Sequence, residues 1–214
     1  MKVGVLGTGD VGRALAQAFV TLGHEVKMGA RDAGNVKAAA WAKSAGPNAS
    51  HGTFADAAGF ADIVVLATLG VANESALRAA GLDHFDGKLV IDTTNPLDFS
   101  GGMPPKLAVG HTDSGGEQVQ RLLPRAKVVK AFNTVGNAQM FRPQLPGGPP
   151  DMFICGDDDG AKHQLGELLA AFGWGVADIG GIQGARYLEA MCLTWVLYGI
   201  RSNTWNHAFK LLRK

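Results

Sequence analysis

Three glycines near the start of the chain are spaced in a way that suits a bound phosphate group. Gly7, Gly9 and Gly12 form the pattern G-x-G-x-x-G after the apolar run Lys2–Leu6, and the helical pattern Val11–Leu22 begins within the motif. In a strand–turn–helix unit, the first glycine permits the tight turn, the second lets a pyrophosphate approach the backbone, and the third lets the helix pack against the strand. The N–H groups at the start of that helix favour an anion. The motif therefore predicts a dinucleotide site, and a glycine-rich turn without a ligand is the alternative.

The residues after the second predicted strand, Glu25–Met28, indicate which dinucleotide binds. A site for NAD places an acidic residue at the end of this strand, whereas a site for NADP places an arginine nearby. Here the expected acidic position falls on Gly29 or Ala30, and Arg31 follows immediately. A guanidinium suits a 2′-phosphate in charge and geometry, and Lys37 offers a second positive charge. Asp32 either caps the following helix or pairs with Arg31. The pattern favours NADP(H), with a solvated surface arginine as the alternative.

Small polar side chains follow three other predicted strands. These positions lie in Thr68–Gly70, in Thr93–Leu97, which includes Asn95, and in Asn133–Gly136. Ligands of parallel sheets bind outside the carboxyl ends of the strands, so we expect these loops to face one crevice. No histidine, lysine or glutamate is placed there as a general base. The pattern is typical of direct hydride transfer between two cofactors.

Strands and helices alternate along most of the chain, which predicts an α/β fold of the Rossmann type with a doubly wound, mostly parallel sheet. Several strand-like runs are apolar throughout, as expected for strands covered on both faces. The predicted strands are Lys2–Leu6, Glu25–Met28, Ile63–Ala67, Leu89–Asp92, Val128–Phe132, Met152–Cys155 and Gly175–Asp178; the predicted helices are Val11–Leu22, Asn35–Ala45, Ala72–Ala80, Gly116–Leu123, Asp159–Phe172 and Gln183–Leu212. We expect one dinucleotide-binding domain over residues 1–214, with a helical extension from about residue 183 packed on it.

Charge and cysteine content exclude several classes of partner. The formal net charge is +1, which gives no basis for binding nucleic acid or an acidic membrane surface. No apolar run is long enough for a membrane span. Cys155 and Cys192 follow no metal or redox spacing, so we expect no metal site and a reduced, cytoplasmic setting.

The predicted C-terminal helix is unusually rich in aromatic residues. Trp195, Tyr198 and Trp205 contribute to a wide apolar face. Packing on the chain's own domain is one interpretation. The other is a homodimer interface that also forms part of the wall of the active site.

The motifs together resemble the NADP oxidoreductases that use the deazaflavin coenzyme F-420, and the NADPH-binding domain of the six-transmembrane metalloreductases. The resemblance spans nearly the whole chain. The segments that carry it are Gly7–Gly12, Gly29–Arg31, Asp92–Pro96, Lys130–Thr134, Ile154–Asp158, Asp178–Ile182 and Ala185–Glu189.

This resemblance implies a role for individual residues. The pyrophosphate and ribose would contact Thr8, Gly9, Asp10 and Val11; the 2′-phosphate would contact Arg31 and Lys37; Thr68 and Leu69 would flank the nicotinamide ribose; and Ala131, Phe132 and Asn133 would line the nicotinamide pocket. Family members that use deazaflavin carry a histidine at the position of Asn133, whereas the metalloreductases carry asparagine. Asn133 is thus the one candidate catalytic residue, and the acceptor of the hydride stays open between a deazaflavin, a flavin and a small carbonyl or imine.

Three functions are compatible with the sequence. The first is an NADPH-dependent oxidoreductase with a flavin-like or deazaflavin acceptor. The second is a non-catalytic NADP sensor. The third is a reductase of small imines or hydroxy acids. Such enzymes normally need a lysine or another proton donor on the C-terminal helix near the nicotinamide. This function is disfavoured because the first lysine of the predicted helix is Lys210, close to its end.

Overall fold

The computed structural model describes residues 1–213, and its centre is an eight-stranded sheet in the order β10-β9-β8-β5-β4-β1-β2-β3. Every pair of neighbours is parallel except β8 and β9, which are antiparallel. A separate two-stranded hairpin consists of β6 and β7. The strands are β1 Lys2–Leu6, β2 Glu25–Ala30, β3 Ala49–Thr53, β4 Ile63–Leu66, β5 Leu89–Asp92, β6 Leu97–Asp98, β7 Lys106–Leu107, β8 Lys127–Lys130, β9 Asp151–Gly156 and β10 Gly175–Asp178.

Helices cover both faces of the sheet. They are α1 Asp10–Thr21, α2 Val36–Ala45, α3 Phe54–Phe60, α4 Asn73–Ala80, α5 Gly115–Leu122, α6 Asp159–Ala171 and α7 Ala185–Ser202. One apolar core joins α1, α2 and α6 to the sheet, and a second joins α3, α4 and α5 to the other face. The predicted Rossmann-type α/β fold is confirmed. Among residues 1–213, no helix is both long and apolar enough to cross a bilayer.

Most of the predicted elements are present, but strand β3, helix α3 and the short hairpin of β6 and β7 were missed. The edge strand β3 has the sequence Ala-Ser-His-Gly-Thr, which contains no apolar run. Helix α3 has only seven residues and lacks a clear helical period, but Thr53 and Asp56 form a capping box at its start. A search for hydrophobic periodicity therefore could not detect β3 or α3.

The predicted helix Gln183–Leu212 is wrong in its second half. Helix α7 ends at Ser202, and Asn203 adopts a left-handed conformation with φ of 50°. Residues 204–213, which we call the C-terminal tail, then fold back along the helix. His207 of the tail stacks on the indole of Trp195, with ring centroids 4.6 Å apart, and its carbonyl accepts a hydrogen bond from Trp195 Nε1. As a result, Trp195 is only 8% exposed and packs within its own chain.

Candidate active site

The glycine motif forms a tight turn between β1 and α1, and each glycine has a separate steric reason. Gly7 has φ of 130°, and a Cβ there would lie 2.2 Å from the carbonyl oxygen of Ala67. A Cβ at Gly12 would lie 2.3 Å from the carbonyl oxygen of Gly7. A Cβ at Gly9, in contrast, would meet no atom within 4 Å. The first and third glycines are thus required by the fold, while Gly9 faces open space.

The start of α1 offers hydrogen-bond donors to that open space. Gly9 is the N-cap residue of α1, and it has no side chain with which to cap the first N–H groups. Such uncapped groups, together with the helix dipole, form a binding site for an anion. Asp10 adds negative charge here, but Arg13 forms an ion pair with it. Arg13 also donates a hydrogen bond to the carbonyl of Thr8, which braces the turn. The arrangement suits the pyrophosphate of a dinucleotide.

The end of β2 leaves no room for a side chain at Gly29, and an arginine is the first residue after the strand. A Cβ at Gly29 would lie 2.9 Å from the Cβ of Ala57 and 3.1 Å from the carbonyl oxygen of Thr53. Arg31, the first residue after the strand, is exposed, and so is Lys37 in the first turn of α2. Within residues 1–213 neither side chain has a carboxylate partner within 4.0 Å. Two cations are therefore free to bind an anion beside the glycine turn.

Neither interpretation of Asp32 is correct. Its Oδ1 accepts a hydrogen bond from the N–H of Gly34, which closes a local turn, and it makes no ion pair with Arg31. The helix cap is Asn35, whose Oδ1 accepts a hydrogen bond from the N–H of Ala38. Asn35 is the N-cap because α2 begins at Val36, after the turn that Asp32 closes.

The loop after β4 lies against the glycine turn. A Cβ at Gly7 would lie 3.3 Å from the backbone nitrogen of Thr68, so the two turns are in contact. Thr68 is half-buried, whereas Leu69 is 74% exposed. Gly70 is packed against the loop after β5, where a Cβ would lie 2.1 Å from the carbonyl oxygen of Asn95. The carboxyl ends of β1, β4 and β5 thus form one continuous edge.

The loop after β8 presents mostly backbone to this edge. Strand β8 ends at Lys130 rather than at the predicted Phe132, because Phe132 adopts φ of 61° and turns the chain. The side chains of Ala131 and Phe132 are buried, and the ring of Phe132 packs against Phe172, with centroids 5.9 Å apart. These two side chains belong to the core, so only their backbone is available to line a pocket.

Asn133 joins three elements. Its Nδ2 donates hydrogen bonds to Asn95 Oδ1 at 3.0 Å and to the carbonyl of Leu188 at 2.8 Å. Its own carbonyl accepts a hydrogen bond from Asn95 Nδ2. The side chain is buried, and its Oδ1 has no hydrogen-bond partner among residues 1–213. Both amide hydrogens are therefore used within the fold, and the buried Oδ1 is left without a partner among residues 1–213.

A fully buried cluster of charges lies beneath the loops. Lys130 Nζ is 2.8 Å from Asp92 Oδ2 and 2.9 Å from Glu189 Oε1, and all three side chains have no exposed surface. Lys130 also donates a hydrogen bond to the carbonyl of Thr94. The two oxygens of Glu189 accept hydrogen bonds from the N–H groups at the start of α5. The cluster ties β5, β8, α5 and α7 together at the carboxyl edge.

The charge of Lys130 is maintained by its two carboxylate neighbours. Burial by itself would lower the pKa of Lys130, but the neighbouring Asp92 and Glu189 outweigh it, so the pKa of Lys130 is raised above its usual value. Close by, the bidentate hydrogen bonds from Arg186 lower the pKa of Glu117. Both groups thus keep their charge at neutral pH and do not serve as proton donors.

The sequence interpretation missed Lys130 and Glu189 as residues that organise the site. Asp92 and Lys130 are charged residues inside apolar strands, and charges are rarely fully buried unless they are paired. That signal was present in the sequence, and it should have prompted a search for a third partner. The position of Glu189 on α7 could not be found in this way, because a single glutamate on an amphipathic helix looks like a surface residue.

Comparison with known proteins identifies the family. The profile of the family described as "NADP oxidoreductase coenzyme F420-dependent" matches residues 2–96. The F420-dependent NADP reductase of Methanocaldococcus jannaschii is 30% identical over 210 residues, which cover 94% of this chain and 92% of that protein. A crystal structure of a putative F420-dependent NADP reductase from Arthrobacter sp. FB24 is 42% identical, has a TM-score of 0.94 and covers 100% of both chains.

The chain belongs to this family. Its members are NADP oxidoreductases, and the family is described as dependent on coenzyme F420. The second predicted resemblance is also found: rat metalloreductase STEAP3 is 32% identical over 194 residues, or 90% of this chain. The chain spans 36% of the length of that protein. Both resemblances predicted from the motifs are confirmed.

Proposed function

We propose that the protein transfers a hydride between NADP(H) and a flavin-like or deazaflavin ring. The observation that carries the proposal is the pair of anion sites at the carboxyl edge. One is the open space at Gly9 against the uncapped start of α1. The other is formed by Arg31 and Lys37 after β2, which have no carboxylate partner among residues 1–213. A dinucleotide with a 2′-phosphate requires both sites. Relatives named as F420-dependent NADP reductases support the same assignment.

Different groups of residues around these anion sites would bind different parts of the cofactor. Residues Gly7, Thr8, Gly9, Asp10, Val11 and Gly12 would enclose the pyrophosphate. Arg31 and Lys37 would bind the 2′-phosphate, and Thr68, Leu69, Asn95 and Asn133 would border the nicotinamide half. Ala131 and Phe132 would contribute only backbone, since their side chains are buried. The cofactor supplies the hydride, so the protein's task is to bind, orient and exclude water.

An acceptor ring would bind next to the loops after β4 and β5. A cleft of about 590 Å³ opens there between α4 and α5, bordered by Gly70 and Pro96. Its walls combine apolar residues with Gln118 and Arg121. Such a mixture suits a planar ring that carries a polar or charged substituent. No proton donor is needed in the wall if the acceptor is itself a redox cofactor.

The first experiment measures the preference for NADPH over NADH by calorimetry. We expect wild-type protein to bind NADPH at least tenfold more tightly, which corresponds to about 1.4 kcal/mol. Arg31→Ala should remove most of this difference. Arg201→Ala is the matched control, because Arg201 is also exposed and makes no ion pair within the described part of the chain. Equal affinities in the wild type would refute the assignment of the 2′-phosphate site.

The second experiment identifies the acceptor. Anaerobic oxidation of NADPH is followed with a deazaflavin, FMN, FAD, riboflavin, a ferric chelate and a cyclic imine. Asn133→His should raise the activity with a deazaflavin, because deazaflavin-using relatives carry histidine there. Asn133→Ala should lower turnover more than it lowers the affinity for NADPH, because it also releases the loops that Asn133 joins. If neither substitution changes turnover with any acceptor, Asn133 has only a structural role.

The same panel separates the alternative functions. A non-catalytic sensor would bind NADPH tightly and oxidise it with none of the acceptors. A reductase of imines or hydroxy acids would act on the imine alone. That alternative has little support, because Lys210 donates hydrogen bonds to the carbonyls of Gly147 and Pro149 and so is held in the tail.

We also propose a homodimer that uses the outer face of α7. The reason differs from the one predicted, since Trp195 is covered by the C-terminal tail. Tyr187 is 73% exposed, and Leu197 and Tyr198 on the same helix are also exposed. Light scattering should give twice the mass of one chain, and Leu197→Glu should reduce it to that of one chain. A wild-type monomer at micromolar concentration would refute this.

A cytoplasmic setting stays a prediction from the two cysteines, which are free and buried.

A further inference from the structure

A continuous chain of hydrogen bonds connects the half-buried Thr68 to the buried charge cluster. Thr68 Oγ1 donates to Asn73 Oδ1 at 2.7 Å. Asn73 Nδ2 donates to Thr94 Oγ1 at 2.7 Å, and Thr94 Oγ1 donates to Asp92 Oδ1 at 2.7 Å. Asp92 in turn forms the ion pair with Lys130. We call this series the Thr68 relay.

The direction of every bond in the relay follows from its buried end. Asp92 is the ion-pair partner of the Lys130 ammonium group, and a carboxylate in such a pair accepts hydrogen bonds, so Thr94 donates its hydroxyl hydrogen to Asp92. Thr94 Oγ1 then has only lone pairs for Asn73, which must turn its Nδ2 toward Thr94. The amide oxygen of Asn73 is thereby turned toward Thr68, and the Thr68 hydroxyl must donate to it.

Asp92 is held in place by a buried ion pair and by a backbone hydrogen bond. Lys130 lies 2.8 Å away, and Asp92 Oδ1 also accepts a hydrogen bond from the backbone N–H of Thr94. Asp92, Thr94 and Asn73 are all buried, so water does not compete for these bonds. Buried polar groups of this kind are held firmly because a lost bond leaves an unsatisfied partner.

The outer end of the relay lies where the cofactor would bind. The backbone of Thr68 contacts the turn at Gly7, and its side chain is half-buried. Because the only hydrogen of the hydroxyl is directed inward to Asn73, the outward side of Thr68 Oγ1 offers lone pairs alone. A ligand at this position is recognised by a donor and not by an acceptor.

We propose that the Asp92–Lys130 pair, acting through Thr94 and Asn73, makes Thr68 a dedicated hydrogen-bond acceptor for the nicotinamide half of NADP(H). The donor on the cofactor is either the carboxamide NH₂ or a ribose hydroxyl. Asn73 and Thr94 are thus positioning residues that touch no ligand. The proposal rests on the proposed function, because it requires that NADP(H) binds against the glycine turn.

The test compares binding of NADPH and its 3-acetylpyridine analogue, in which a methyl group replaces the carboxamide NH₂. If the carboxamide is the donor, wild-type protein binds NADPH about threefold to tenfold more tightly than the analogue, which is the effect of one hydrogen bond. Asn73→Leu, which removes the acceptor for the Thr68 hydroxyl, should abolish that preference, and Thr68→Val should do the same. If a ribose hydroxyl is the donor, both variants weaken both ligands by this factor.

Four further variants separate the relay from a general structural effect. Thr68→Ser keeps the hydroxyl and should bind as the wild type does. The double variant Thr68→Val with Asn73→Leu should be no weaker than Thr68→Val alone, because both act on one bond. Thr94→Val breaks the relay one step deeper and replaces Asn73→Leu if that variant does not fold. Ser75→Ala is the control on the same helix, since Ser75 is exposed and bonds only to the carbonyl of Ala72.

Each outcome decides the matter. Equal binding by wild type, Thr68→Val and Asn73→Leu to both ligands overturns the relay while leaving NADPH binding intact. A loss in Thr68→Val without a loss in Asn73→Leu and Thr94→Val also overturns it, because Thr68 would then act alone. Failure of the wild type to bind NADPH overturns the proposed function, and the relay with it.

Discussion

Alanine at two glycines of the same turn should have opposite effects on stability and on binding. At Gly9 the backbone has φ of −74° and ψ of −177°, which any residue can adopt, and the new methyl group meets no atom within 4 Å. The loss of a good N-cap residue costs about 0.5 kcal/mol, and the reduced freedom of the unfolded chain returns about as much. We therefore expect the free energy of unfolding of Gly9→Ala to stay within about 0.5 kcal/mol of the wild type. At Gly12 the methyl group would lie 2.3 Å from the carbonyl oxygen of Gly7, so the turn must shift, at a cost of about 1–3 kcal/mol.

Binding should follow the reverse order. The methyl group of Gly9→Ala occupies the space that a pyrophosphate needs, so we expect the affinity for NADPH to fall at least tenfold, or about 1.4 kcal/mol. Urea unfolding measures the free energy of unfolding, and calorimetric titration of the folded protein measures the affinity for NADPH. Gly9→Val extends the series with a larger side chain. If Gly9→Ala and Gly9→Val are folded and bind NADPH as tightly as the wild type, the phosphates do not lie against Gly9 and the reasoning from this space fails.

Three further predictions concern stability. Lys130→Met leaves two carboxylates buried without their cation, so urea unfolding should show a loss of about 3–5 kcal/mol; a loss below about 1 kcal/mol would contradict full burial of the cluster. Hydrogen bonds from Arg121 lower the pKa of Asp113 from 3.8 to about 2, so this pair stabilises the folded state above pH 3.8 and is lost as the pH falls toward 2. Asp113→Asn should reduce the change in the free energy of unfolding between about pH 2 and pH 3.8 by less than about 1 kcal/mol, because Arg121 is largely exposed. An unchanged pH dependence would argue against the pairing. Gly199→Ala would place a methyl group 2.4 Å from the ring of Trp205, so it should displace that indole and change the tryptophan fluorescence, at a cost of about 1 kcal/mol; an unaltered spectrum would place Trp205 elsewhere.

The cofactor half of the site was readable from the sequence because its signals are local. The steric role of Gly12 depends on Gly7 in the same turn, and the position of Arg31 depends only on where β2 ends. Hydrophobic runs placed the central strands, and β1, β5 and β10 have the predicted bounds. Contacts between residues that are close along the chain leave a pattern in the sequence.

The remaining features depend on contacts between distant segments. Glu189 meets Lys130 only after α7 has packed across the sheet, and no local pattern marks that pairing. The same holds for Asn133, whose two amide hydrogens are donated to Asn95 and to Leu188, which are distant along the chain. The end of α7 was missed because apolar residues continue into the C-terminal tail, and only the left-handed turn at Asn203 separates the two.

The return of the C-terminal tail has a consequence for synthesis of the protein. The carbonyl of Phe209 accepts a hydrogen bond from the N–H of Asp151, and Leu211 donates to the Asp151 carboxylate, so the last residues described secure the start of β9. Domains generally begin to fold while the ribosome is still extending them. Here β9 and the indole of Trp195 lack their final partners until the tail has left the ribosome. The half of the sheet that holds β1–β4 can form on the nascent chain, whereas the half that holds β9 is completed only once residues 204–213 have also emerged.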